Sequence, residues 1–240
     1  MGILLGLFGG GGGILTVPIL TGLFGLSATS ATGNSLFIVG VTSLVGATSG
    51  VVRGQTQMKA ATLLALPSMA GAVLARKAII PNLPAQVFWW TKDQLILAGF
   101  GILMLLVGFK MLWKPSSPSS QGPKTGKVLT LGFGIGLISG TLGAGGGFLI
   151  LPVLTLLMDL PMEQAIPTSL LVIALQSIAG FASELSGSIP WSFLLAVTSA
   201  ALVGLTVGIA SRHVVPVRAL RVAFAYLVIS VGALMIFRLT

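Results

Sequence analysis

Two stretches of this chain, 134 positions apart, spell out the same order of residue types. The first is Gly9-Gly10-Gly11-Gly12-Gly13-Ile14-Leu15-Thr16-Val17-Pro18, and the second is Gly143-Ala144-Gly145-Gly146-Gly147-Phe148-Leu149-Ile150-Leu151-Pro152. The register runs without a gap from Leu5–Gly46 to Ser139–Gly180, with 16 identities in 42 positions. The chain is an internal duplication, so its fold must be made twice and packed against itself. Glycine also interrupts the same apolar segment in both copies, and matched interruptions of that kind point to a transporter's binding site.

Hydrophobic residues make up 55% of the chain and charged residues 7%, with a mean hydropathy of +1.06. A soluble surface needs roughly 25% charged residues, so the expected class is an all-α integral membrane protein. Apolar runs of about 20 residues suit helices, whereas a barrel would show roughly ten-residue alternating segments. The formal charge of +9 does not indicate nucleic acid, because the lysines and arginines lie at span ends, where they set orientation. There is no cysteine, hence no disulfide or thiolate metal site. No metal or cofactor set is legible, and no grouping of nucleophile and base supports an enzyme. The N-terminus lacks a basic leader, so residues 1–20 read as retained in the mature protein.

Apolar runs between charges and prolines predict four segments per half: 3–21, 30–52, 58–77 and 94–113, then 128–158, 164–184, 190–211 and 219–238. The Pro/Ser-rich stretch 114–127 separates a first repeat (1–113) from a second (128–240). The first half inserts a longer loop with Phe88, Trp89 and Trp90, suited to the headgroup region. Segment 128–158 is long for one crossing and short for two. A helix, a glycine turn and a half-helix would enter and leave on the same side.

Charge counting separates the two topologies. With re-entrant first segments each repeat crosses three times and the halves are inverted. If the linker is cytoplasmic, Arg53, Lys59, Lys110, Lys114, Lys124, Lys127, Arg212, Arg218 and Arg221 lie inside, nine against the four of Arg76, Lys77, Lys92 and Arg238. Single crossings would make the halves parallel and divide the charges seven against six. The positive-inside bias favours two inverted repeats, each a re-entrant segment plus three transmembrane helices, in the inner (plasma) membrane.

A re-entrant break frees backbone groups at membrane depth, tolerable only where they are buried in protein or line a polar cavity. Glycine reaches positive φ without strain and admits close approach of a ligand. The half-helix after each tract starts with unpaired N–H donors and the positive end of its dipole, which suits an anion. Gly11, Gly12 and Gly13, with Gly145, Gly146 and Gly147, are therefore candidate substrate-binding residues, while close helix packing is the plainer role for the same glycines. Asn34 and Ser35 align with Thr168 and Ser169 at the start of the next span, where they can donate to an anion or cap the helix. Two turns on, Thr42-Ser43 aligns with Gln176-Ser177. Gln176 is also a candidate: a deep amide needs a partner, which a neighbouring helix or a substrate can supply. Pro18, Pro67 and Pro152 read as kinks. Asp159 and Glu163 fall in a short loop, Glu184 closes a span, and His213 beside Arg212 reads as a surface residue.

The Gly9–Pro18 tract, Ser139–Pro152 and Ala165-Ile166-Pro167-Thr168-Ser169-Leu170 resemble the TauE/SafE sulfite exporter family, also called the 4-toluene sulfonate uptake permease family. The resemblance covers nearly the whole chain, including Ser211-Arg212-His213. It implies transport of small sulfur-containing anions such as sulfite, sulfonates or sulfoacetate, in a direction it does not fix. Only eight residues precede Gly9, where the family has a fuller first helix, so an abbreviated first gate is expected. Asn34 in place of threonine implies that the halves bind ligand unequally. The expected function is a secondary transporter with a small anionic substrate, lipid neighbours and no nucleic-acid partner. Its glycine-rich faces permit a homo-oligomer. A passive anion channel and a non-transporting membrane scaffold are the alternatives.

Overall fold

The computed structural model describes residues 1–84, 86–87, 90–113, 125–143, 145–183, 191–211 and 217–237. Phe88, Trp89, residues 114–124 of the linker, Glu184, residues 186–188 and Arg212-His213 lie outside them. Among the described residues, each predicted segment is mostly helical. In the first half these are α1 (Gly2–Phe8), a 3₁₀ run (Gly9–Leu15) and α2 (Thr16–Gly22), then α3 (Ala28–Val52) and α4 (Met58–Leu74). A π-turn (Ala75–Ile79) and α5 (Ile80–Asn82) extend α4, and α6 (Lys92–Trp113) follows. The second half has α7 (Thr125–Leu142), α8 (Gly147–Pro152) continued by a π-turn (Val153–Leu157), α9 (Met162–Ala182), α10 (Trp191–Ser211) and α11 (Val217–Phe237). Among the described residues, the departure from an all-α reading is a small hairpin in the inserted loop, pairing Gln86–Val87 antiparallel with Trp90–Thr91.

Five of the described helices are long and apolar enough to cross a membrane: Ala28–Val52, Met58–Asn82, Thr125–Leu142, Met162–Ala182 and Trp191–Ser211. Their outer faces are apolar, with Leu66, Leu195 and Val203 all more than half exposed. Seven of their polar side chains are turned inward: Ser35, Thr42, Ser43, Thr168, Ser169, Gln176 and Ser177 are fully buried. A helix apolar all round belongs in lipid, and this distribution is that of a multi-pass membrane protein.

Glycine sets the helix packing. A methyl group on Gly136 would lie 2.1 Å from Ser68 O, and one on Gly140 2.8 Å from the Ala72 backbone. The positions rise together, so α4 and α7 run parallel with backbones touching. The same pattern joins α1 to α10, where Gly2 abuts Ala201 O at 2.0 Å and Gly6 abuts Leu205 O at 2.5 Å. By contrast α3 and α9 are antiparallel, with Gly40 against Ser177 and Ile178, Gly46 against Leu170 and Gly50 against Pro167. Helices α6 and α11 are antiparallel too, Gly101 facing Gly232 and Gly108 facing Ala225.

Both glycine tracts reverse the chain. In a straight helix, residues seven apart stand about 10 Å apart. Yet a methyl on Gly12 would meet Leu5 N at 2.2 Å, and one on the aligned Gly146 would meet Ser139 Cβ at 3.0 Å. Thr16 Oγ1 also donates to Met1 Sδ at 3.1 Å, so α2 folds back along α1. The two turns differ in backbone. Gly143, Gly145 and Gly146 take φ of +67°, +66° and +63°, whereas Gly9–Leu15 is wound as a 3₁₀ helix. Pro152 cannot donate to the helix, and the helix widens into the π-turn directly after it.

Candidate functional site

The two reversals meet inside the bundle, the 3₁₀ run packing against α8 and α9. Helix α3 touches both, with Gly40, the thirteenth of its 25 residues, at the crossing with α9. That puts the crossing at about half the depth of a 25-residue helix.

The second turn is held by side chains of both central helices. Ser35 Oγ on α3 donates to Gly143 O and lies 3.2 Å from Thr32 O. From α9, Gln176 Nε2 donates to Gly145 O and lies 3.3 Å from Ser139 Oγ. A carbonyl only accepts, so the Gly145 bond fixes the amide orientation and turns Oε1 away from the turn. There is no room for side chains: a methyl on Gly145 would lie 2.5 Å from Val39 Cγ1, and one on Gly146 2.6 Å from Gln176 Nε2. The turn needs glycine for φ and for space.

Three buried polar atoms on the central helices α3 and α9 have no hydrogen-bond partner: Ser43 Oγ, Ser177 Oγ and Gln176 Oε1. Ser43 and Ser177 are an aligned pair from the two halves. Most helical hydroxyls in this protein bond the carbonyl three or four residues back, as Thr42 does to Ile38 O at 2.6 Å and Ser169 to Ile166 O at 2.8 Å. Ser43 and Ser177 do not, nor does Thr198 on α10. Ser177 Oγ stands 3.5 Å from where a Gly145 methyl would be, facing the turn. A buried polar group without a partner costs about 1–3 kcal/mol. Unpartnered polar atoms on both central helices, one of them facing the glycine turn, are therefore an unfilled demand for a small polar partner.

Of the sequence candidates, Gly145, Gly146, Gly147, Ser35 and Gln176 come together at this turn. Gly12 and Gly13 are buried in the 3₁₀ run that packs against α8 and α9, and Gly11 lies in the same run. Asn34 stands half-buried on α3 and joins none of these hydrogen bonds. Thr168 and Ser169 are elsewhere: Thr168 is eight residues from Gln176, about 12 Å along α9. Thr168 Oγ1 accepts from Gln57 N at 3.0 Å and donates to Gln164 O at 2.6 Å, so it caps the start of α4. Ser43 and Ser177 are the residues that site reasoning from sequence misses, although their alignment beside Gln176 is the signal that could find them. Asp93 is missed as well: its Oδ1 accepts from Thr29 N at 3.1 Å and Thr29 Oγ1 at 2.7 Å, capping α3 from α6.

A separate cavity of about 600 Å³ opens between α2, α6 and α11, lined by Leu15, Pro18, Leu97, Val231 and Met235 with Asp93 at one end. It is mostly apolar and does not include the glycine turn.

The model of the family described as Sulfite exporter TauE/SafE matches residues 1–235. A Xylella fastidiosa (strain Temecula1) protein named "Probable membrane transporter protein" is 31% identical over 180 residues, 72% of this chain and 66% of that protein. This chain thus spans just under two thirds of that relative's length. The Bacillus subtilis protein named "Probable membrane transporter protein YdhB" is 28% identical over 239 residues, 99% of this chain and 96% of its own. A Methanocaldococcus jannaschii protein of the same description is 28% identical over 195 residues, 78% of this chain and 70% of its own. No solved structure matches the chain.

Proposed function

This chain belongs to the TauE/SafE sulfite exporter family, and from that premise we propose that it is a secondary transporter for small sulfur-containing oxyanions such as sulfite or sulfonates. The observation that carries the reading is the aligned pair Ser43 and Ser177, each buried with an unpartnered hydroxyl, one from each half. Hydroxyl donors suit an oxyanion, and the start of the helical run after Gly146 adds a favourable dipole. The proposed binding set is Ser43, Ser177 and Gln176, closed by residues 11–13 and 145–147, with Ser35 holding the turn.

The proposed architecture is two inverted repeats, 1–113 and 128–240, joined by a cytoplasmic linker in the plasma membrane. The antiparallel pairing of the equivalent helices α3 with α9 and α6 with α11 supports it, because repeats in parallel would set those helices parallel. Rocking about the α3–α9 crossing would expose the site alternately to either side. The relatives' printed names as membrane transporters support the same class.

Flux of sulfite, sulfoacetate and related sulfonates into liposomes holding the purified protein tests the reading. Saturable uptake with counterflow is expected, and replacing Ser43 and Ser177 together by alanine should lower it at least about tenfold, the loss of two hydrogen bonds to a charged group. Conductance without saturation or counterflow would favour a channel. No flux with any of these anions would remove the substrate assignment.

A further inference from the structure

We propose that the cavity between α2, α6 and α11 is a lipid site: it takes part of one acyl chain of phosphatidylethanolamine, whose ammonium group sits on Asp93. The site is separate from the glycine turn and does not depend on the anion reading.

At about 600 Å³ the cavity falls in the range of ligand pockets, roughly 300–1,000 Å³. Its lining includes Leu23 and Leu234, both more than half exposed, so it opens on the outside of the bundle where lipid lies. Its two ends differ in chemistry. At the inner end are Leu15, the last residue of the 3₁₀ run, and Val231 of α11. From Gly22 to Leu15 the wall descends seven residues, about 10 Å if helical throughout. At the outer end are Ser27 and Asp93, which stand where α3 and α6 begin. Helix ends of spans lie at the level of lipid headgroups, so the polar end is placed for a headgroup and the apolar end for a tail.

Asp93 decides which headgroup fits. Thr29 N and Thr29 Oγ1 both donate to its Oδ1, at 3.1 and 2.7 Å, and this fixes the carboxylate against α3. Its Oδ2 accepts no hydrogen bond among the described residues. Lys92, the preceding residue, turns its ammonium to Ile80 O instead. The lining itself contains no lysine, arginine or histidine. A carboxylate at the mouth repels small anions, so this cavity is not the path of the proposed substrate. The occupant that fits it joins an apolar chain to a cation. A primary ammonium brings three N–H donors, and its bond to a carboxylate is charge-assisted. The quaternary ammonium of phosphatidylcholine brings charge without a donor, and phosphatidylglycerol brings neither.

Binding of these three lipids, with identical acyl chains, to the purified and delipidated full chain is measured by native mass spectrometry and thermal shift. Phosphatidylethanolamine should bind at least about tenfold tighter than phosphatidylcholine, the worth of a hydrogen bond to a charged group. Asp93→Asn keeps an acceptor for Thr29 and removes the charge, so it should bring those two lipids to within about twofold of each other. Ser230→Trp, at an exposed position of the cavity lining, should lose the bound lipid by filling the space of the tail. If Asp93→Asn does not fold, the wild-type ratio and Ser230→Trp decide between them. Equal wild-type affinities, or no retained lipid, would overturn the proposal and leave the anion site standing. A preference that survives in folded Asp93→Asn would overturn the assignment to Asp93. Phosphatidylethanolamine still held by Ser230→Trp would overturn its placement in this cavity.

Discussion

Alanine at three glycines separates the two demands that the second turn makes on its residues. At Gly134 on α7 a methyl meets nothing within 4 Å and φ is not positive. There alanine should stabilise by about 0.5–1 kcal/mol, the helical difference between the two residues. At Gly25, between α2 and α3, φ is +65° and the space is again open. There only the left-handed backbone is penalised, by about 1–2 kcal/mol. At Gly146 the same φ penalty applies, and the methyl also falls 2.6 Å from Gln176 Nε2 and 3.0 Å from Ser139 Cβ. Displacing the amide forfeits its bond to Gly145 O and strands buried groups, a further loss of about 1–3 kcal/mol. The Gly146→Ala total is thus about 2–5 kcal/mol. At roughly 2–4 °C per kcal/mol for a chain of this size, thermal unfolding in detergent should rank Gly134→Ala above wild type, then Gly25→Ala, then Gly146→Ala. The last should fall at least about 4 °C below wild type. Oxyanion flux should be lost in Gly146→Ala and kept in Gly25→Ala. A Gly146→Ala protein melting at or above Gly25→Ala would refute the claim that the turn is sterically closed by Gln176.

Gly136→Leu and Gly6→Leu should each abolish the folded protein, measured as loss of the monodisperse peak in size-exclusion chromatography, because each drives a side chain into the partner helix's backbone. Asp93→Ala should destabilise by about 0.5–2 kcal/mol, the worth of a helix cap, read as a lowered melting temperature with oxyanion affinity unchanged. Thr168→Val should cost about 1–3 kcal/mol, since Gln57 N–H loses its acceptor. Its effect should appear in stability and not in the affinity for oxyanions.

The aligned glycine tracts made the duplication, the segment boundaries and the chain reversals legible, because a run of glycine followed by proline cannot continue an apolar helix unbroken. They did not reveal that one reversal uses positive φ and the other a 3₁₀ winding, since that depends on neighbours such as Thr32, whose backbone presses on Gly143. The role of Thr168 was equally hidden: its partner Gln57 is 111 residues away. Ser177 and Ser169 look alike in sequence. Only the packed structure shows that Ser169 bonds its own helix while Ser177 faces the turn. Asp93 went unnoticed because a carboxylate at a span end reads as surface until Thr29 is seen against it.

The parallel contacts α1–α10 and α4–α7 have a consequence for how the chain is made. Each early helix is completed by a helix from the other half, so neither half can close its own packing. During synthesis α1 must wait for α10, roughly 180 residues later, which at about 5–20 residues per second is about 10–40 s. Through that interval the bare glycine faces of α1 and α4 are open to lipid or to any other helix, and the insertion machinery must shelter them. The two halves produced as separate polypeptides should therefore be degraded singly and recovered together, with the linker dispensable for assembly.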